Sequence, residues 1–318
     1  MRQSWHTTPG GIRVLRSISR LPFRKGLGGL LDELDSYRGV YLSSGYEYPG
    51  RYSRWDVASV RPPLEIVAGG DWMEFRALNQ RGEILNQILY PLLASHPHWE
   101  SLRPSASVLA GRLKSPPALF PEEERSKQPS AFSILRRLID EFRPMRDARL
   151  ALAGAFGFDL LFRFDPIQLK LPRAKRENLH LYLCDDICFM DRKRERIERH
   201  QYDFQAEGLS TLALERSGDP VPSPPVREAG EIVSDHTPEE YMAKVEKVRE
   251  GMKRGDYYEV VLRQTFRAPY SGRPSELFRR LQQISPSPYE FFLQFGDEQL
   301  IGCSPEMFVR VEGGRVET

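Results

Sequence analysis

Two glutamates in this 318-residue chain stand where a strand could hold a carboxylate for proton transfer. Glu306 lies in IGCSPEMFVRV (301–311), directly after Ser304-Pro305. The proline forces a kink, and a carboxylate set by a kink within a strand pair is well held for moving a proton. The plainer reading is a bend with an exposed Glu. Glu259 lies in GDYYEVVLRQTF (255–266), a β-rich run opened by a Gly-Asp turn. Alternation puts Val260 and Leu262 on one side of that strand and Glu259, Val261 and Arg263 on the other. Glu259 is then either a solvent-facing residue or a buried functional carboxylate.

Two further segments have the residue types for a small-ligand rim. In SPSPYEFF (285–292) alternating prolines hold the backbone extended, fix the approach of Tyr289 and remove donors from a sheet edge. That makes a rigid lead-in to a strand, and equally a rim of carbonyls with one aromatic face. YLSSGYEYPGRYSRWD (41–56) offers Ser43 and Ser44, hydroxyls that bind a polar head group or merely end a strand. The cysteines Cys184, Cys188 and Cys303 make no disulfide framework. Cys184 and Cys188 have no His or further Cys nearby in sequence to complete a metal site, so they read as inert thiols in a reducing cytoplasm.

The elements that must position these residues follow from apolar spacing. Leu27, Leu30, Leu31 and Leu34 predict a helix within 25–37, ending before Arg38-Gly39. GVYLSS reads as extended and GYEYPGRYSRWD as turn-rich. Val57 to about Phe75 predicts two strands broken at Gly69-Gly70. Helices are expected over about 81–95 and 131–143, the second burying Leu135, Leu138, Ile139 and Phe142. An exposed loop over 115–130 separates them. ALAGAFGFDLLFRF (151–164) reads as a buried strand, and LHLYLCDDICFMDR as a hairpin turning at Asp185-Asp186. Arg192 to Arg199, interrupted by Glu195 and Glu198, reads as a solvated helix face.

Residues 205–235, rich in proline and glycine, read as a linker or excursion. Thr237-Pro238-Glu239-Glu240 is a capping box for a helix that buries Tyr241, Val245, Val248 and Met252 and ends near Gly255. Then follow a strand (257–268), a helix (274–284) and strands at 289–295, 299–303 and 306–312. Strand pairs alternating with helices point to an α+β or mixed layered fold and away from a doubly wound nucleotide-binding one. The expected division is 1–235 and 236–318. The final EGGRVET stops in mid-hairpin, which reads as truncation.

Bulk composition excludes some classes. Lys and Arg (46) nearly cancel Asp and Glu (44), so no strong field draws nucleic acid or an acidic membrane surface. No apolar run approaches the ~18 residues of a membrane span, and MRQSWHTTPGG lacks the apolar core of a signal peptide. The expected setting is the cytoplasm.

Taken together, the four segments resemble the chorismate-utilising enzymes, and within them anthranilate synthase component I. The family's Gly-Ala-Ser-Pro-Glu is read here as Gly302 to Glu306, and its Asn-Pro-Ser-Pro-Tyr-Met-Phe as Ser285 to Phe291. Its Gly-Asp-Ile-Phe-Gln-Val-Val strand is read as Gly255 to Val261, continuing into Leu262. Its Leu-Leu-Glu-Ser, followed by Arg-Tyr-Ser, is read as Tyr41 to Ser44 and Arg51 to Ser53. SGYEYPGRYSRWD with GAFGFDLLFRFDPI (154–167) looks most like the single-chain type, in which a glutamine amidotransferase is fused after component I. Four such matches in order are not chance.

The resemblance implies an α+β fold of two layered sheets with outer helices, incomplete at the C-terminus. It implies conversion of chorismate, with glutamine or ammonia and Mg2+, to anthranilate and pyruvate. Glu306 matches the general acid that helps the C4 hydroxyl leave. Glu259 stands where relatives that add water place a lysine and where anthranilate synthases usually carry Gln; it is a second catalytic candidate with no role assigned. L-Tryptophan as inhibitor is expected at Ser43, Ser44, Pro288, Tyr289 and Glu290, with Ser43 replacing the family's Glu and Glu290 its Met. A homodimer and an amidotransferase partner are implied. The Mg2+ ligands and the residues gripping chorismate belong to motifs downstream of this sequence, so no metal site is expected within it and the chain is expected to be inert alone. The rivals are an aminodeoxyisochorismate or aminodeoxychorismate synthase and a non-catalytic tryptophan-binding or interaction fragment.

Overall fold

The computed structural model describes residues 1–46, 55–117, 120–143, 145, 149–164, 177–222, 230–307, 309–312 and 314–317. The chain forms two compact units, residues 1–222 with 274–318, and residues 223–273.

In chain order the larger unit begins with β1 (Arg2–Thr7), β2 (Arg13–Leu21), α1 (Gly28–Glu33), β3 (Gly39–Ser43) and β4 (Trp55–Val60). It continues through β5 (Leu64–Gly69), β6 (Trp72–Ala77), α2 (Gln80–Ala94), β7 (Trp99–Arg103) and β8 (Val108–Leu113). Next come α3 (Ala131–Phe142), β9 (Ala151–Phe156), β10 (Leu179–Cys184), β11 (Asp186–Asp191), β12 (Arg196–Ala206) and β13 (Leu209–Ser210). The smaller unit holds β14 (Val233–Ser234), α4 (Pro238–Arg254) and β15 (Phe266–Arg267). The larger unit resumes with α5 (Pro274–Ile284), β16 (Tyr289–Gln294), β17 (Gln299–Ser304), β18 (Arg310–Glu312) and β19 (Arg315–Glu317).

The larger sheet runs β1-β2-β12-β11-β4-β3-β16-β17, with β13 beside β12; the second runs β7-β8-β6-β5-β10-β9. The expected α+β fold of two sheets flanked by helices is the one the chain adopts. The main core joins both sheets to α2 and α3: Val40, Tyr202 and Leu293 from the larger sheet, Ile66 and Phe75 from the smaller, Leu89 and Leu138 from the helices. Each such side chain, fully buried, contributes about 1.5–3 kcal/mol. A second core gathers Leu31 and Leu34 at α1, Phe278 of α5, and Tyr41 and Phe292 of the larger sheet. The period of two along β3 assigns Val40 to the first core and Tyr41 to the second, so α1 and α5 cover the face that carries Tyr41.

Several local expectations are corrected. Residues 55–77 form three strands, because Pro62 and Pro63 break the run as well as the glycines. The 151–164 segment is a half-buried edge strand followed by a 3-10 turn. Ile139 faces solvent. The loop over 115–130 contains a 3-10 helix, Glu122–Lys127, and buries Gln128 and Ser130. The strand expected at 257–268 is reduced to Phe266–Arg267, since only Val233–Ser234 supplies a ladder to it. Residues ahead of it lie along α4 instead, with the Tyr257 ring against Gly251 and the Tyr241 hydroxyl donating to the Leu262 carbonyl at 3.4 Å. The capping box holds: Thr237 Oγ1 accepts from Glu240 N at 3.2 Å, and Glu240 accepts from Thr237 N at 3.0 Å. Its apolar stripe is only half-buried, and Met252 is exposed.

The Asp185-Asp186 hairpin is also corrected. β10 pairs with β5 and β9, and β11 with β12 and β4, so the chain crosses between sheets at Asp185. Arg81, fully buried on α2, holds that crossing. Its guanidinium donates to Asp185 at 2.6 and 2.8 Å, to Asp203 at 2.9 Å, and to the carbonyls of Tyr202 (2.9 Å) and Thr211 (2.7 Å). Burial pushes Asp185 up to about 6 even with Arg81 and Arg216 opposing it. The expected linker is packed here too: Thr211 and Val221 are buried, and Arg216 reaches Asp203.

Candidate functional site

The neighbouring strands β11, β4, β3, β16 and β17 bring most of the singled-out residues together. Ser43 is the register partner of Glu290, and Tyr289 the partner of Ser304. Three segments far apart in sequence therefore share one corner of the larger sheet. The proline pair shapes the join: Gly45 N and Tyr46 N donate to the Ser287 carbonyl at 2.9 and 3.1 Å, which a proline-held extended backbone leaves free to accept.

Behind this rim lies a buried polar cluster. The Ser43 hydroxyl donates to Asp56 Oδ1 at 2.8 Å, and Asp56, on β4, is 1% exposed. Arg192, just past β11, grips Asp56 with two arms, Nη2 to Oδ1 at 2.7 Å and Nε to Oδ2 at 3.0 Å. It also donates from Nη1 to the Ser44 carbonyl at 3.0 Å and from Nη2 to Ser43 Oγ at 3.2 Å. Burial raises the Asp56 carboxyl above its ordinary range, while Arg192 and Ser43 pull it back.

Glu290 is 2% exposed and accepts from Gln282 of α5 at 2.6 Å and from Ser287 N at 3.2 Å. Tyr41 lies on the same face, edge-on to Phe278 at 5.7 Å. Burial first, then Asp56 and Glu290, push its hydroxyl pKa well up, so it stays a neutral donor. Ser43 and Glu290 are thus enclosed, while Ser44, Pro288 and Tyr289 are half-buried and reachable.

Tyr289 belongs to a second feature. With Glu306, Met307, Val309 and Arg310 it lines an open cleft of about 330 Å3. Glu306 is exposed there, two residues past the end of β17. Glu259 is exposed in the smaller unit, on a stretch with no strand pairing. Arg51 to Ser53 lie outside the described residues.

Sequence reasoning missed Asp56, Gln282 and Arg192. The arginine falls in a run whose mixed charges imitate a solvated helix, yet Arg192 to Glu195 is the turn between β11 and β12. No local signal marks its partner. Among the described residues no group of three or more His, Cys, Asp or Glu could hold a metal ion. These residues do not fit a Mg2+ site, and no step below runs through one. Among them, too, no helix is long and apolar enough to cross a membrane.

Residues 94–318 match the family model described as chorismate binding enzyme. The chain is 41% identical to the anthranilate synthase of Azospirillum brasilense over 98% of its own length and 42% of that protein. It is 29% identical to anthranilate synthase component 1 of Aquifex aeolicus over 58% of this chain and 42% of that one. The crystal structure of anthranilate synthase component I from Streptococcus pneumoniae aligns over 85% of this chain and 54% of that chain, with 20% identity and a TM-score of 0.48. The chain thus spans about half the length, or less, of these relatives.

Proposed function

The chain belongs to the chorismate-binding enzyme family, and from that premise we propose that it forms the effector side and the acid-bearing strands of an anthranilate synthase. The whole protein would convert chorismate, with ammonia or with glutamine through an amidotransferase, to anthranilate and pyruvate. The observation that carries this reading is the run of neighbouring strands β3, β16 and β17, which joins the serine pair, the Pro-Ser-Pro-Tyr segment and Glu306. The 41% identity to the Azospirillum brasilense enzyme over nearly this whole chain supports the choice of product.

Glu306 acts as general acid in this proposal. Hydroxide is a poor leaving group, and a proton delivered to the C4 hydroxyl of chorismate as its bond to carbon breaks lets it depart as water. A positioned acid contributes about 10²–10⁴ in rate. The open cleft around Glu306 leaves room for a ring to approach, with Tyr289 and Met307 as apolar walls. Glu259 receives no role.

The effector in this reading is L-tryptophan. Ser44, Pro288 and Tyr289 form the reachable contact, with Ser43 and Glu290 bracing it from behind. Tyr289 touches both features, so an inhibitor seated on the proline rim would press on a wall of the acid's cleft.

The test is Glu306→Gln in this chain joined to the remaining length of the Azospirillum brasilense relative. Anthranilate fluorescence should fall by about 10²-fold or more, with chorismate affinity largely kept. Turnover equal to the parent's would remove Glu306 from the chemistry.

A further inference from the structure

The guanidinium of Arg192 reaches Asp56 on β4 and both serines at the end of β3, of which Ser44 is the one the proposed effector would meet. Three bonds go to the Asp56 carboxylate, at 2.7, 2.9 and 3.0 Å. A fourth goes to the Ser44 carbonyl at 3.0 Å and a fifth to Ser43 Oγ at 3.2 Å. The Asp56 side chain is 1% exposed and that of Arg192 35%, so the arginine closes the cluster from its solvent side. Ser43 ends β3, Asp56 lies on β4 and Arg192 follows β11, so one side chain ties the ends of three adjacent strands.

We propose that Arg192 and Asp56 are positioning residues for effector binding, fixing the backbone and hydroxyl directions of Ser43-Ser44 without touching the ligand. This rests on the reading of Ser44, Pro288 and Tyr289 as the tryptophan contact. The physical reason is the planar fork. Two parallel bonds to Asp56 fix the plane of the guanidinium, and the third nitrogen then has one direction left, toward the Ser44 carbonyl. Asp56, held by the fork, in turn accepts from the Ser43 hydroxyl and sets its rotamer. Ser44 is the first residue past β3, and its peptide to Gly45 is held from two sides: the Gly45 N–H donates to the Ser287 carbonyl at 2.9 Å, and the Ser44 carbonyl accepts from Arg192 at 3.0 Å. A lysine keeps the charge against Asp56 but not the fork, and would leave the Ser44–Gly45 peptide held only from the Ser287 side.

The experiment is calorimetric titration of L-tryptophan into the 318-residue chain and three variants, each checked by thermal unfolding. Arg192→Gln removes the fork, Arg192→Lys keeps its charge, and Arg199→Gln is the control. Arg199 makes a similar two-armed pair with Asp186, at 2.8 and 2.6 Å, between β12 and β11 and away from the serines. The expected result is a dissociation constant weakened at least tenfold in Arg192→Gln, weakened less in Arg192→Lys and unchanged in Arg199→Gln. Should Arg192→Gln fail to fold, Arg192→Lys carries the test, and parent-like affinity in it would overturn the proposal. Equal weakening in Arg199→Gln would overturn it as well, by showing a general loss of sheet stability. Absence of binding to the parent chain would instead remove the effector reading, and this proposal with it.

Discussion

Gly45→Ala should destabilise the protein far more than a glycine replacement in a surface loop ordinarily does. A Cβ at position 45 would lie 1.8 Å from Glu290 Oε1, 2.3 Å from its Cδ and 2.6 Å from Oε2. Ordinary contact begins at 3.4 Å, so the carboxylate must retreat by about 1.6 Å, the difference between 3.4 and 1.8. A flexible glutamate on the surface would do this freely. Glu290 cannot, because it is 2% exposed and lies between Gln282 and Ser287. A retreat of that size breaks the 3.2 Å bond from Ser287 N and strains the 2.6 Å bond from Gln282. Overpacking of this kind costs about 1–3 kcal/mol, and stranding buried polar groups about 1–3 more. Together these come to about 2–6 kcal/mol, read from the urea midpoint at unchanged m-value. Glu290→Ala removes the obstacle, so the double variant should be more stable than the two single losses added together, by about 1–3 kcal/mol. A Gly45→Ala midpoint equal to the parent's, or strict additivity in the cycle, would refute the packing described.

Arg81→Leu should cost about 3–5 kcal/mol in thermal unfolding, because Asp185 and Asp203 lose the fully buried guanidinium bonded to both, with Arg216 left as the cation beside them. Asp185 is already raised to about 6 by burial, so in the variant it takes up a proton at neutral pH, which caps the loss; a change under about 1 kcal/mol would contradict this. Acidification should destabilise the fold through its histidines. Burial lowers His96, His98 and His200 below their ordinary 6.5, so the unfolded chain binds those protons first. Their contribution is complete above 6.5 and drains away as pH falls below it, and His200→Phe should flatten that slope. An unchanged slope in denaturant titrations between about pH 5 and 7 would count against it.

What the sequence made legible was local. The helices at 81–95, 131–143 and 274–284 follow from apolar spacing, and the Thr237 capping box from four adjacent residues; such signals need nothing beyond a turn or two of chain. The strand at 289–295 and its turn at Gly296 were equally plain. Sheet membership was not. Asp185-Asp186 has turn composition, and the arginine that makes it a buried crossover is 104 residues away. Arg192 and Asp56 are 136 apart, so no window could join them. The candidate effector residues were found through resemblance, and that two of them are enclosed while three are reachable depends on strand register. GDYYEVVLRQTF has the residues of a strand, but a strand exists only where a ladder partner is present.

The most direct measurement is anthranilate fluorescence from this chain joined to the remaining length of the Azospirillum brasilense relative, given chorismate, Mg2+ and ammonium, with L-tryptophan added in steps. Product that appears and then declines as tryptophan rises is the expected result. Absence of product, or product that tryptophan leaves untouched while Glu306→Gln abolishes it, would contradict the account.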